Sequence, residues 1–585
     1  MGKTKTPKSS PTSVVVRYDL HGLPTAQHKA GLAGLLLQVE SMRERGLSAS
    51  AMPDVALDGP AAVVATFTPE SLTGLFNDLY DAKPVLVESP TRWANAKLIK
   101  EIEKPDKAGK TKTFFVYEVV QPCGHFLRRY ADGEKEIWHK LWRNMLWDIP
   151  RGKPTTRGPY NARAEDQSSG EDEAAWKELL TIAKAGRRGE IATCAIGSAL
   201  LLGAQAENAE SVPFRDRVEH ALLLHFWPLT ARIFVPERFD ADGDRAFVGY
   251  VLAVPEVADL PLFCDEYKSW LGTLDPKPSG YRPAGAVISL PEQGALEFMD
   301  GLARIAGATA NLDEYNPVAK ALVGVEFFHL DKRGNNVKGL AQGRIAADRK
   351  LLREYHLYVR QCRNPFFRQG RLLALIRGKK WYEAFDDLLA ENAAHLFVRT
   401  AETPRLMPSF AWDAVVAFRP ALDESRRRKE KVMNPASPPQ RPSDLESIVF
   451  KLVRTYVRQK TEQKSGITYA SFKDDKTPDA KGRPRTNYPK TYTDAQERVC
   501  EDLFLSMRSR RDDDFVSYFT AAVGSVGQKA AMPNEADFAV IATALLDPQR
   551  RRDVKTLAML AVAAASYASA AREDGEDDTE PKETK

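Results

Sequence analysis

The string Gly334-Asn335-Asn336-Val337-Lys338 gathers two side-chain amides and an ammonium within five residues. Amides read base edges or hold phosphate oxygens, and Lys338 can neutralise a phosphate. The same string suits a turn in which Asn supplies left-handed backbone geometry, and the sequence leaves both readings open. A second cluster spans residues 93–163, with 15 Lys/Arg against 8 Asp/Glu, a local excess of +7 that exceeds the +5 of the whole chain. Lys104, Lys107, Lys110 and Lys112 fall in an expected exposed loop. Arg151, Lys153, Arg157 and Arg163 surround the string Pro150-Arg151-Gly152-Lys153-Pro154. Trp138, Trp142 and Trp147 lie between, with Lys140 and Arg143 among them. Basic charge interleaved with aromatic platforms suits nucleic-acid binding. The tryptophans by themselves read better as a helix core. For Lys104–Lys112 and Arg151–Arg163 binding is the favoured reading, because helix packing does not call for such an excess.

Other chemistry is absent on spacing. Gly2-Lys3-Thr4 and Gly109-Lys110-Thr111 resemble the end of a phosphate-binding loop. The first glycine that would let backbone amides wrap a phosphate is missing, since position 104 is Lys and the chain starts too close to Gly2. Asp240, Asp242 and Asp244 alternate, but Gly243 precedes the third acid and breaks the calcium-loop pattern. No H-E-x-x-H, G-x-S-x-G or C-x-x-C occurs. No catalytic residue, metal ligand set or cofactor is therefore expected.

Composition narrows the class. The chain has 585 residues, 84 Lys plus Arg, 79 Asp plus Glu, and a 43% hydrophobic fraction, enough for several sizeable cores. Five scattered cysteines offer no disulfide framework, so a reducing cytoplasm is the expected compartment. The N-terminus has no apolar signal segment, and Leu557–Tyr567 is too short to span a bilayer.

The elements predicted to position these residues form an α+β protein. A mixed α/β N-terminal and middle region precedes a C-terminal all-α bundle. Residues 1–12 read as a disordered basic arm. In 13–165, strands are expected at Ser13–Tyr18 and Ala61–Phe67, and a helix over Ala26–Arg45. Thr68-Pro69 caps a second helix, and a strand follows at Phe114–Val120. In 166–425, strands are expected at Phe247–Val254, Ala286–Leu290 and Leu322–Leu330, the last followed by a turn at Asp331–Arg333. Helices are expected at Trp176–Ala185, Ala295–Ile305, Lys350–Gln361 and Arg371–Ala390. Residues 426–442, four consecutive basic residues and a Pro/Ser-rich stretch, read as a linker. In 443–572, Ser443-x-x-Glu446 and Thr493-x-x-Gln496 read as capping boxes, with further helices at Asp514–Val523, Glu535–Leu546 and Val554–Ala571. Residues 573–585 read as a disordered acidic tail.

Several strings together resemble one family. They are Leu202–Ala206 with Asn208–Glu210, Leu222–Pro228, Tyr250–Val257, Gly280–Pro283, His329–Lys338 and Asn364–Arg368. In order and joint presence they resemble the large subunit of type I CRISPR Cascade complexes, the "Cas eight" family, in its Myxan (Cmx) variety. The resemblance covers about residues 130–420. It implies a non-enzymatic subunit at the 5′ end of a CRISPR RNA, contacting Cascade backbone and small subunits. Such a subunit inspects target double-stranded DNA for the short PAM motif, while base pairing reads the rest. It also aids R-loop formation and recruits a helicase–nuclease, or transposition proteins if the complex serves a transposon. A metal-dependent nuclease with dispersed carboxylates is the alternative of a different class. Met433, just before the Ser443 cap, is also placed to start a separate small subunit, with Lys429-Glu430 able to encode a ribosome-binding sequence. A charged linker with a chance methionine is the other reading.

Overall fold

The structure, a computed structural model, describes residues 12–93, 97–105, 111–130, 136–197, 199–203, 214–239, 245–307, 316–334, 336–398, 408–432, 444–478, 484–524 and 535–566. The chain divides into two compact units, Met1–Arg238 with Phe247–Leu352 and Phe239–Ala246 with Arg353–Lys585. Strand and helix alternate in the first unit and helices dominate the second, the α+β arrangement expected.

In the first unit β1 (Val14–Asp19) alternates strictly, burying Val14, Val16 and Tyr18 and exposing Val15. It leads into α1 (Ala26–Glu44). The edge strand β2 (Asp54–Leu57) and β3 (Ala62–Phe67) complete an antiparallel sheet of order β1-β3-β2. α2 (Pro69–Leu79) starts at the expected cap: the Thr68 hydroxyl accepts from the Ser71 amide at 3.1 Å, and the Thr68 amide donates to the Ser71 hydroxyl at 2.9 Å. A second antiparallel sheet follows, with β6 (Thr111–Pro122) between β4 (Ala82–Ser89) and β5 (Leu98–Pro105). α3 (Ile137–Asp148) then buries Trp138 and Trp142, the core role that their helical spacing predicts.

The central six-stranded sheet is built on β7 (Arg232–Phe239), β8 (Tyr250–Val257), β9 (Leu322–Arg333) and β10 (Asn336–Ala346), antiparallel in that order, with the short strands Arg245–Phe247 and Val287–Ile288 also on β7, the latter parallel to it. α1 and α4 (Pro291–Gly307) both pack on β8. Covered in this way, β8 reads as a near-continuous apolar run. The expected turn at Asp331–Arg333 is instead the end of β9. Asp331, Lys332 and Arg333 pair with Lys338, Val337 and Asn336, and Gly334 follows β9 with φ +63°.

In the second unit the expected helix Arg371–Ala390 is two helices, Pro365–Ile376 and Phe385–Glu391, interrupted where Gly378 takes φ +61°. α5 (Pro408–Val432) runs through Arg426–Lys431, where linker chemistry was expected. α6 (Leu445–Ser465) starts after Asp444, whose side chain makes no capping bond. Glu446 instead accepts from the Trp381 indole at 2.9 Å. α7 (Lys490–Arg508) starts three residues before Thr493, and Gln496 donates to the Ala565 carbonyl at 2.7 Å, so the second expected capping box is interior helix. These helices share one apolar core with α8 (Pro548–Ala565), and Phe410 and Phe418 of α5 belong to it with Ile448, Phe504 and Leu557. A product starting at Met433 would lack both phenylalanines. Residues 1–11, 433–443 and 567–585, which hold most of the expected arm, Met433 and the acidic tail, lie outside the described residues.

Candidate nucleic-acid interface

The structure brings two of the three sequence clusters together. The turn that leaves α3 through Pro150–Arg157 lies against the β9–β10 hairpin. A Cβ on Gly152 would come within 3.1 Å of a Val337 methyl and 2.9 Å of the Asp148 carbonyl, so only glycine allows this approach. Asp148, the last residue of α3, links the parts. Its carboxylate accepts from the Tyr250 hydroxyl at 2.9 Å and lies 3.5 Å from the Lys332 ammonium. Burial and the Asp148 charge hold the Tyr250 phenol protonated. Arg282 also acts on Tyr250 electrostatically, which brings a third segment, the short hairpin at Pro278–Pro283, to the same place.

Each expected binding residue has a definite position. Lys153 and Lys338 are exposed, with no ion pair among the described residues. Asn336 is exposed at the first position of β10, opposite Arg333. Its φ is not positive, so the left-handed conformation that would favour an Asn there for turn reasons is absent. Asn335 lies outside the described residues.

Arg151 is not on this surface. It is 9% exposed; one guanidinium nitrogen donates to the Tyr80 hydroxyl at 2.8 Å, and the group lies 5.4 Å from the Tyr80 ring centre. Tyr80 in turn bonds His225 at 2.6 Å. A cavity of about 20 Å³, room for one water, borders Arg151, Tyr80 and His225. Arg157 is half-buried. It donates to the Arg151 and Trp147 carbonyls, each at 3.0 Å, and packs 4.9 Å from the Trp147 ring centre, so it clamps the turn. The expectation of phosphate contact therefore narrows from three residues of this turn to Lys153. The cause is aromatic rings that take up guanidinium, Trp147 within the segment for Arg157 and Tyr80, 71 residues earlier, for Arg151.

The third cluster stands apart on β5 and β6. Lys104 faces Lys112 across the strands and is paired with Glu88 at 2.7 Å. Lys112 is exposed, and Lys107 and Lys110 lie outside the described residues.

Sequence reasoning missed one candidate residue. Tyr281 is 84% exposed at the tip of the Pro278–Pro283 hairpin, with the Lys140 ammonium 6.0 Å from its ring centre. Gly280 before it and Pro283 after it were the available signal, since they mark a turn that presents the residue between them.

Residues 53–311 match the model of the type I-B CRISPR Cas8b N-terminal domain, and residues 322–565 match that of the Cas8b C-terminal domain. No curated protein matches the chain. No helix among the described residues is long and apolar enough to cross a membrane. Because the two matched stretches account for most of the sequence, the chain belongs to the Cas8b family, the large subunits of type I CRISPR Cascade complexes.

Proposed function

We propose that the surface around Asp148 binds the PAM-bearing duplex beside the guide 5′ end. Lys153 and Lys338 neutralise phosphates, and the Asn336 amide meets a base edge. Tyr281 offers a stacking face. The observation that carries this reading is the seating of the Pro150–Arg157 turn on the β9–β10 hairpin, because it unites cations and an amide that lie far apart in sequence. Large subunits of this family are a non-catalytic Cascade component. On this reading the chain does not cut DNA; it aids R-loop formation and recruits a helicase–nuclease. Transposition proteins in that role, or metal-dependent cleavage by the chain itself, are the competing readings.

The test uses the complex assembled with its RNA and a panel of PAM variants. Asn336→Ala, with or without Asn335→Ala, is expected to reduce target binding and flatten discrimination between PAMs while assembly persists. Undiminished discrimination would show that bases are read elsewhere. Cleavage of DNA by the purified chain with Mg²⁺ or Mn²⁺, lost on mutating carboxylates, would establish the nuclease reading instead.

A further inference from the structure

A group of metal-ligating side chains lies outside this surface, at the base of the β4–β6 sheet. Asp81 precedes β4, Cys123 follows β6, and His125 opens a single helical turn, His125–Arg128. The Cys123 amide donates to the Asp81 carbonyl at 2.8 Å, which closes the end of the β4–β6 ladder. Between the cysteine and the histidine, Gly124 has φ +51°, and a Cβ there would lie 2.7 Å from the Trp142 ring. The Cys-Gly-His turn is thereby fixed, and it directs both side chains toward Asp81. One ligand atom from each residue, a sulfur, a ring nitrogen and a carboxylate oxygen, lies within 4.8 Å of the other two.

We propose that Asp81, Cys123 and His125 bind a zinc ion, with water at the fourth position. The donor set suits this metal, which takes thiolate, imidazole and carboxylate in tetrahedral sites. Zn–S near 2.3 Å and Zn–N and Zn–O near 2.0–2.2 Å keep any two donors within about 4.5 Å, so small side-chain rotations suffice. Without metal the three groups bond to one another: His125 Nε2 lies 2.8 Å from Asp81 Oδ2, and the Cys123 thiol bonds the same carboxylate. Burial and the Asp81 charge push the thiol up to about 12, so it stays protonated until a metal displaces the proton. On binding, the thiol proton passes to solvent. The imidazole, whose Nε2 proton meets Asp81 in the metal-free site, shifts that proton through solvent to Nδ1 and so frees the Nε2 lone pair for the ion.

Arg163 supports the remaining carboxylate oxygen. Its guanidinium lies 3.3 Å from Asp81 Oδ1 and is itself held by the Asn77 and Gln167 carbonyls. It orients Asp81 and leaves Oδ2 for the ion. The His125 and Asp81 side chains are 30% and 25% exposed, so an ion has an entry path. Once bound, it would tie the start of β4 to the end of β6 and brace the sheet that carries Lys104 and Lys112.

The test titrates the metal-free full-length chain with Zn²⁺ alone, and with Co²⁺ as a spectroscopic probe. One equivalent of Zn²⁺ is expected to bind, to raise the thermal midpoint, and to lose both effects on chelation. Co²⁺ should give a sulfur-to-metal charge-transfer band. Cys123→Ser should abolish that band, and His125→Gln should weaken Zn²⁺ binding at least tenfold. Thermal midpoints of both variants without metal, matched to the parent, establish that they fold. Absence of stoichiometric Zn²⁺ binding, or binding that both folded variants retain unchanged, overturns the proposal.

Discussion

Two basic hairpins of the first unit start from similar composition and end differently. The β9–β10 hairpin is packed against the Pro150–Arg157 turn, and that turn is rooted in the interior by Arg151, Tyr80 and His225. Its exposed Lys338 therefore projects from a fixed support. In the β5–β6 hairpin, Lys104 is already engaged with Glu88, and β5 is an exposed edge strand along most of its length. A local charge excess thus marks where cations are, while packing beneath them decides which are held in a fixed place to meet a ligand.

The comparison is broken most directly at its root. Replacing Arg151 by Gln removes a charged hydrogen bond from a buried site, at an expected cost of about 1.5–3 kcal/mol in unfolding free energy. Denaturant melts of the purified chain measure this. The salt dependence of DNA binding should hold its slope, because the guanidinium meets Tyr80 and not solvent. A slope that falls while stability holds would return Arg151 to the surface.

Tyr281→Ala tests the exposed aromatic beside Lys140 of α3. Loss of a stacking face is expected to weaken binding of target DNA by the assembled complex by about 1–3 kcal/mol, and Tyr281→Phe should restore most of it. If alanine binds as well as tyrosine, the exposed ring has no base to meet.

Acid should loosen the anchored hairpin through its root. Burial and the Arg151 charge hold His225 down to about 3, so the folded chain keeps it neutral where the unfolded chain, near 6.5, binds a proton. Its contribution is complete above pH 6.5 and is lost as pH falls from there toward 3. At pH 5 the loss is about 2 kcal/mol relative to pH 7. Burial also holds His139 down to about 4, which adds a loss of the same sign. His225→Gln does not titrate, so its stability deficit against the parent should shrink by about 2 kcal/mol between pH 7 and pH 5. A pH-independent deficit would mean that His225 takes up its proton as readily in the folded chain as in the unfolded one.

What was legible in the sequence followed burial. β1, β3 and β8 carry apolar residues where the sheet buries them, α1 shows helical spacing, and α2 starts at a cap. The sequence places β1, β3, α1 and α2 within a residue or so and β8 three residues early, since Phe247 belongs to a separate short strand. β2 and β10 bury little, and β10 contains Gly339 and Gly343, so neither has an apolar period to detect. The capping box at Thr493 misled because Gln496 is taken up by the Ala565 carbonyl, a partner distant in sequence, while Ser443 of the other expected box lies outside the described residues. The candidate surface was half legible. Composition marked Lys153, Asn336 and Lys338, but the burial of Arg151 depends on Tyr80, 71 residues earlier. Tyr281 gained meaning only when its hairpin was placed beside α3.

The finest test weighs single charges on the two hairpins. Each phosphate deprived of its neutralising cation lowers the log–log salt slope of binding by about 0.9. Lys153→Gln with Lys338→Gln should lower it by about 1.8, since both ammoniums are exposed without an ion pair among the described residues. Lys104→Gln should change it little, because Glu88 already offsets that charge at 2.7 Å. Lys112→Gln should remove about 0.9 only if the β5–β6 hairpin also follows a phosphate. Glu88→Gln sharpens the contrast. It frees Lys104, and if DNA runs past this hairpin the slope should rise by about 0.9. A rise would make the β5–β6 hairpin a second DNA-binding element held in check by its own carboxylate. No rise, with the Lys153 and Lys338 slopes as expected, would confine the DNA to the anchored hairpin.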